Sequence, residues 1–385
     1  MIKEIRFHNW KSFHQATLPL EPLTVLIGAN ASGKSNALEG LEFLQRVASG
    51  KAVQSALIGT ETFPALRGDA EWATRKPGTQ FTLSVSVENP EGSGYYLYDL
   101  SVRTAPPLQP LAETLTYINQ TEHTCLFKTE RAVQNAVDIH LHGDTIVTSE
   151  NIETVVISQL ENMLWSSPLL TAGVKTVLQA LRTTLVLDPI PTNMRAYTSL
   201  SQTLKGDAHN VAGLLINLPE AQKKVIEETL SYYLSQLLAR TVRRVWAEPI
   251  GRFGIDAMLY CEEEWTQGTL TLLDARGMSD GALRFVAILT ALLTQPEGSQ
   301  LVIEQVDTNL QPAQVTLLFH ILQKLGQQRR LKLLTTIQNT TLLDNLELEQ
   351  SPLLIVVHRD KATGTSQLTP VPAQQFPVLS TFSLR

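Results

Sequence analysis

Residues 28–36, Gly28-Ala-Asn-Ala-Ser-Gly-Lys-Ser-Asn36, constrain the fold of this chain more than any other segment. Gly28 to Ser35 fits G-x-x-x-x-G-K-[ST], a phosphate-binding loop. An apolar run, Leu23–Ile27, precedes it and reads as a buried parallel strand. Leu38, Leu41, Leu44 and Val47 follow at helical spacing. A Gly/Ser turn with a chance lysine would match the letters but not this strand–loop–helix setting. Gly28 and Gly33 permit backbone angles and approaches that a side chain would block. The loop amides and the helix N-terminus then face phosphate oxygens. Lys34 would reach the β- and γ-phosphates, and the Ser35 hydroxyl would ligate Mg²⁺.

With 385 residues the chain can form two or three lobes around a sizeable core. A formal net charge of −6 argues against a broad nucleic-acid-binding surface but leaves room for a local basic groove. Two cysteines, Cys125 and Cys261, do not make a disulfide framework and suit a reducing compartment. The start, Met-Ile-Lys-Glu-Ile-Arg, has no apolar signal core, and no run of about 18 apolar residues occurs. A cytoplasmic α/β protein is expected.

Along the chain, Phe81–Val87 and Tyr95–Val102 alternate as antiparallel strands joined by a turn-rich segment. His140 and His142 share a strand face; with no third ligand nearby, a solvated face explains them better than a metal pair. Residues 153–187 and 209–248 read as mostly helical, broken by Pro189 and Pro191. Arg240, Arg243 and Arg244 form a basic cluster, either a phosphate contact or a helix end favoured by its dipole. From about 250, apolar strands alternate with helices, as in a largely parallel sheet. These segments divide the chain into a first lobe (1–150), a helical insert (151–250) and a second lobe (251–385).

Taken together, the motifs resemble the ABC-class ATPase heads of the RecF, OLD and SMC kind, most closely stand-alone AAA-family ATPases of the AAA_21 type. Phe7–Phe13 is similar to that group's N-terminal "FxNFRSF" element, and Gly28–Asn36 to its "GxNxSGKSN" Walker A, with Asn30, Ser32 and Asn36 at the fixed polar positions. Leu187–Pro191 resembles "LDPIP", and Met278–Arg284 resembles the signature "LSDGTLR". Leu301–Pro312 sits where the group has "LLIEEPENGLHP", and Thr335–Asn339 where it has "TTHSP". The resemblance implies a P-loop NTPase fold with a mixed core sheet, an antiparallel β lobe and a helical insert. It also implies a head that dimerises around ATP and Mg²⁺, as a homodimer or with a related head. Ser279, Asp280 and Gly281 of one subunit would close on the γ-phosphate held by the other. Ser279 or Asp280 can equally be a plain helix cap. Arg284 and Arg276, flanking the signature, would either reach the partner or pair with acids on the surface, the commoner fate of such arginines. Lys11 and Ser12 would approach the nucleotide, and Trp10 would either stack on adenine or belong to the core.

Two departures stand out. Glu304 is the expected Mg²⁺-associated acid, but the general base that follows it in the group is Gln305 here. The γ-phosphate-sensing histidine is replaced by Ile337. Losing a general base costs about 10²–10⁴ in rate. Three explanations are open: Gln305 was introduced to trap ATP, the site is naturally degenerate, or Asp307 substitutes as base. The expected function is a nucleotide-gated dimerising scaffold or sensor for a separate effector, such as a nuclease, in antiphage defence or DNA repair. An active DNA-associated ATPase is the alternative. A transporter subunit fits worst, because the segment from 36 to 278 is too long and differently organised. The residues after about 350 carry no acidic cluster for two metals, so a nuclease would be another chain.

Overall fold

Leu23–Ile27 is buried at every position, and the architecture is built around it. The computed structural model describes residues 1–120, 122–131, 136–143, 145–161, 163, 167–266, 268–338 and 352–371. The chain opens with β1 (Ile2–His8), β2 (Gln15–Pro19) and β3 (Leu23–Ile27), then α1 (Lys34–Ala48) and α2 (Val53–Ile58). There follow β4 (Gln80–Glu88), β5 (Tyr95–Arg103), β6 (Gln109–Ile118), β7 (His123–Arg131), β8 (Val137–Leu141) and β9 (Thr145–Ser149). Next are α3 (Val156–Leu160), α4 (Pro168–Arg182), β10 (Leu185–Leu187), α5 (Pro191–Met194) and β11 (Thr198–Ser199). Then come α6 (Val211–Asn217), α7 (Glu220–Leu238), β12 (Val242–Ile250), β13 (Asp256–Thr266) and β14 (Thr269–Asp274). The last described elements are α8 (Asp280–Thr294), β15 (Gln300–Ile303), α9 (Pro312–Gln328), β16 (Lys332–Ile337), β17 (Leu353–Arg359) and β18 (Ser366–Val371).

Among the described residues these strands form three sheets. The core sheet runs β10-β15-β16-β3-β17-β18, parallel except for β18. A second sheet, β2-β1-β4-β5-β6-β7-β8-β9, is antiparallel throughout. A small antiparallel sheet sets β13 between β12 on one side and β11 and β14 on the other. The mixed core sheet and antiparallel lobe are those expected. The helical stretches were drawn too long, because Leu185–Leu187 joins the core sheet and Val242–Ile250 is a strand. In each case the preceding helix ends and the chain continues into strand pairing, so tertiary contacts override the local helical period.

The core sheet has an apolar layer on each face because side chains alternate along a strand. Val25, Ile27, Leu301, Ile303 and Leu333 pack with α7, α8 and α9 on one side. Leu26, Val302, Leu334 and Ile355 pack on the other with α1, α4 and the antiparallel sheet. Trp10 belongs to that second layer. It is fully buried, its ring lies against Phe43 and Phe81, and its Nε1 donates to the Asn36 carbonyl at 2.7 Å. Trp10 is therefore a core residue that pins α1 to the antiparallel sheet and has no face to offer adenine. Truncating such a ring costs about 3–5 kcal/mol.

Glu113 is a buried acid in the antiparallel lobe. Its carboxylate accepts the Val156 and Ile157 N–H groups at 2.6 and 3.2 Å and the Tyr98 hydroxyl at 2.9 Å. Burial nevertheless pushes its pKa up to about 7, against the pull of those donors. A raised carboxyl pKa means the folded chain keeps a proton that the unfolded chain has released, so stability falls as pH rises from about 4.5 to about 7. Denaturant titrations across that window should show the decline in the wild type, and Glu113→Gln should flatten it. An unchanged slope in the variant would assign the decline to other groups.

Candidate nucleotide site

The turn after β3 is shaped by close packing. A Cβ on Gly28 would lie 2.1 Å from the Val357 carbonyl oxygen, so β17 excludes any side chain there. Gly33 has φ +116° and opens α1, and a Cβ on it would meet the Ser12 and Ser366 hydroxyls at 2.9 and 2.4 Å. Ser12 lies behind the loop, accepting from Asn36 Nδ2 and Ser366 Oγ at 2.7 Å each. Lys11 is buried and its ammonium is bound to Glu39 and to the Arg67 carbonyl. Lys11 and Ser12 thus brace the loop from inside the protein and do not line the cleft in front of it.

That cleft, about 510 Å³, is lined by Asn30–Asn36, Arg67, Glu304, Gln305, Thr336, Gln338 and Arg359. Lys34 Nζ donates to the Gly28 and Ala29 carbonyls at 2.5 and 3.0 Å. Burial lowers its pKa, against Asp307 and Glu304, which raise it. Ser35 Oγ donates to one oxygen of Glu304, and Arg67 binds the other at 2.7 Å. Burial opposes the Arg67 charge, but Glu304 and Glu39 outweigh it and hold its pKa above the ordinary value.

The sequence reading missed Arg67. It lies in a loop-rich stretch where no periodicity marks it, and the fold alone brings it to Glu304. Ser32 Oγ is buried without a hydrogen-bond partner. Such a hydroxyl is costly unless something satisfies it, and here it belongs to the loop that lines the cleft. The hydroxyl of Ser35 with the carboxylate of Glu304 is an oxygen donor pair of the type Mg²⁺ prefers. The residues therefore fit a magnesium–nucleoside triphosphate.

Gln305 follows Glu304 at the mouth of the cleft with φ +51°. Its N–H donates to Thr336 Oγ1 at 2.7 Å, and its side-chain oxygen accepts from Thr308 Oγ1 at 3.3 Å. The neighbouring strand gives a less obvious result. Ile337 is fully buried in the core layer opposite Ile27, so its side chain points away from the cleft. Thr336 and Gln338 are the residues of that strand end that line it. Asn339 lies outside the described residues. Asp307 accepts the Gln338 N–H at 3.2 and 3.1 Å and is not among the lining residues.

The signature segment builds a second cleft of about 370 Å³, lined by Ser279–Ala282, Asn309, Leu310 and Gln314 among others. Ser279 caps α8, accepting from the Ala282 N–H at 3.2 Å. Gly281 is required there because a Cβ would lie 2.6 Å from the Asn309 carbonyl oxygen. Asp280 pairs with Arg195 at 2.8 Å.

Arg284 is not a surface residue aimed at a partner. It is buried and donates to the carbonyls of Pro189, Glu304 and Gln305 at 2.5, 3.1 and 3.2 Å, with Asp188 at 3.4 Å. It thereby joins the signature helix to the strand end that carries Glu304. Burial and the nearby Glu304 raise the pKa of Asp188, against the pull of Arg284.

Arg276 is bound to Asp274. Arg240, Arg243 and Arg244 pair with Glu263, Glu262 and Glu227 at 3.3, 3.6 and 3.3 Å. Arg243 and Arg244 sit on β12, not at a helix end, and their charges are matched by acids, which weakens the case for a DNA contact there. Among the described residues no group of three metal-ligating side chains occurs, and His140 lies 3.5 Å from Glu130.

A P-loop beside a strand-end acid, with a helix-start signature tied to that acid from behind, is the arrangement of an ABC-type ATPase-head fold. Residues 23–93 and 266–344, the segments that carry these features, match the family described as "AAA domain, putative AbiEii toxin, Type IV TA system". Among solved structures, the chain is similar to an SMC head bound to the C-winged helix domain of ScpA, with 12% identity and a TM-score of 0.54, covering 97% of this chain and 98% of that one. It is also similar to an Smc head with an extended coiled coil, bound to the C-terminal domain of ScpA, from Pyrococcus furiosus. That match has 11% identity, a TM-score of 0.53 and coverage of 99% and 98%. At such identities the likeness is one of fold. No curated protein matches the chain in sequence. Among the described residues no helix is long and apolar enough to cross a membrane.

Proposed function

We propose that the protein binds ATP with Mg²⁺ and works as a nucleotide-gated, dimerising head that hydrolyses ATP slowly. The observation that carries this reading is a cleft that brings together Lys34, Ser35 and Glu304 but has an amide, Gln305, where an acid would accept the proton of the attacking water. The loop amides and Lys34 hold the phosphates, and Ser35 and Glu304 hold the metal. Bound Mg²⁺ supplies charge neutralisation at the phosphate oxygens. Arg67 keeps one Glu304 oxygen engaged and leaves the other for Ser35 and the metal. Gln338 takes the cleft position that the resemblance gives to a histidine, and Asp307 is turned toward the Gln338 backbone, which disfavours it as a substitute base.

A second chain would set its Ser279–Gly281 against the γ-phosphate. ATP shifts the open–closed balance only by its extra contacts in the closed pair. The working division is a first lobe over 1–150, an insert over 151–250 and a second lobe over 251–385. The output is a separate effector chain, such as a nuclease, in antiphage defence or DNA repair in the cytoplasm. The toxin–antitoxin wording of the matched family favours defence. The similar SMC heads, which were solved with a ScpA domain, favour a protein partner.

Light scattering after size exclusion tests the reading. The mass of the wild type should rise when ATP and Mg²⁺ are added, and that of Lys34→Ala should not change. A wild type whose mass is indifferent to ATP would overturn the gating.

A further inference from the structure

Exposed large apolar side chains at one end of the small sheet include Trp265, Leu270 and Leu272. The last two lie on β14, and among the described residues β14 pairs on one side only, with β13. Its other edge therefore presents free backbone donors and acceptors. Natural edge strands are usually blunted by lysine, proline or a bulge. Thr269-Leu-Thr-Leu-Leu-Asp274 carries no lysine or proline, and the irregularity in its pairing falls at Glu264/Thr266 on β13, opposite its very start.

The side-chain register shows what the edge would accept. Leu270 lies opposite Glu264, and Leu272 opposite Glu262, on the sheet face away from the buried Leu259 and Cys261. The segment is nearly symmetric about Thr271, with a leucine at each neighbouring position. We propose that β14 pairs antiparallel with β14 of a second copy of this chain, about a twofold axis at Thr271.

In that register Thr271 faces its own counterpart, and Leu270 faces Leu272 of the other copy. The outer face then carries two rows, each reading Glu–Leu–Leu–Glu across the joined sheets. Four leucines that are exposed in the single chain cover one another, and the glutamates stand on the solvated flanks. Cross-strand apolar pairs of this kind stabilise a sheet, and a surface that complements itself is what a twofold interface requires. The pairing uses neither nucleotide cleft, so it does not depend on the nucleotide reading.

A cysteine at the dyad reads the register directly. In a Cys125→Ser background without nucleotide, Thr271→Cys places two Cα atoms about 4.5–5.5 Å apart, within disulfide reach. Thr269→Cys places them about 13 Å apart, by four residues of strand rise. Mild oxidation should convert most of the Thr271→Cys chain to a disulfide dimer on a non-reducing gel, leave Thr269→Cys single, and fail when Leu272→Lys is added. Sedimentation of the unmodified protein without nucleotide gives an independent reading. The wild type should sediment as a dimer and Leu272→Lys as a monomer. Equal cross-linking of the two cysteine variants, or a monomeric wild type, would overturn the proposal, the latter leaving the edge to a strand from another protein.

Discussion

Gln305→Glu is expected to raise steady-state ATP turnover by about 10²–10⁴-fold, or roughly 3–5 kcal/mol of barrier, with little change in ATP affinity. The backbone at this position is already fixed by the Thr336 hydroxyl, and the side chain lines the cleft. Glutamate has the same reach as glutamine and adds a proton acceptor. The new charge would lie near Glu304, whose own charge is offset by Arg67. The groups proposed to hold the phosphates are others, so the gain should appear in kcat. Single-turnover and steady-state rates in the presence of Mg²⁺ measure it. A variant no faster than the wild type would move the defect from the missing base to the strand end, where Ile337 is buried in the core and Gln338 takes its place in the cleft.

Arg284→Met should cost about 3–5 kcal/mol of stability, the scale for breaking a buried charged network by removing one partner. The guanidinium supplies donors to three carbonyls at once, and those of Glu304 and Gln305 belong to the turn that follows β15 at the cleft. Methionine fills part of the volume and supplies no donor. Arg284→Lys should recover only part of the loss, because one ammonium cannot reproduce a planar fork. A lower urea midpoint at unchanged slope would show this directly. A loss under about 1 kcal/mol, the scale of an exposed ion pair, would mean that the network is peripheral.

The local patterns in the sequence were the most legible part of the fold. The apolar run at Leu23–Ile27, the glycine–lysine loop and the leucine spacing of α1 are each set by near neighbours, and the strand, loop and helix lie where those patterns put them. The alternating strands at 81–87 and 95–102 were legible for the same reason. What depends on distant packing was not. Trp10 looks like any aromatic beside a motif until Phe43 and Phe81 close around it. Arg67 reaches Glu304 across 237 residues of sequence, and no spacing rule spans that gap. The three arginines near 240 look like a basic patch until Glu227, Glu262 and Glu263 fold against them. At Ile337 the residue type was plain in the sequence, but its direction was set by pairing with β3, which turns it inward.

The central claim is that the main-chain nitrogens of residues 28–35 and the Lys34 ammonium hold a nucleoside triphosphate. Isothermal calorimetry of the purified chain with ATP and Mg²⁺ tests it most directly. The account predicts saturable uptake of one ATP per chain, lost in Lys34→Ala. A flat titration of the folded wild type, or uptake that survives in Lys34→Ala unchanged, would contradict it.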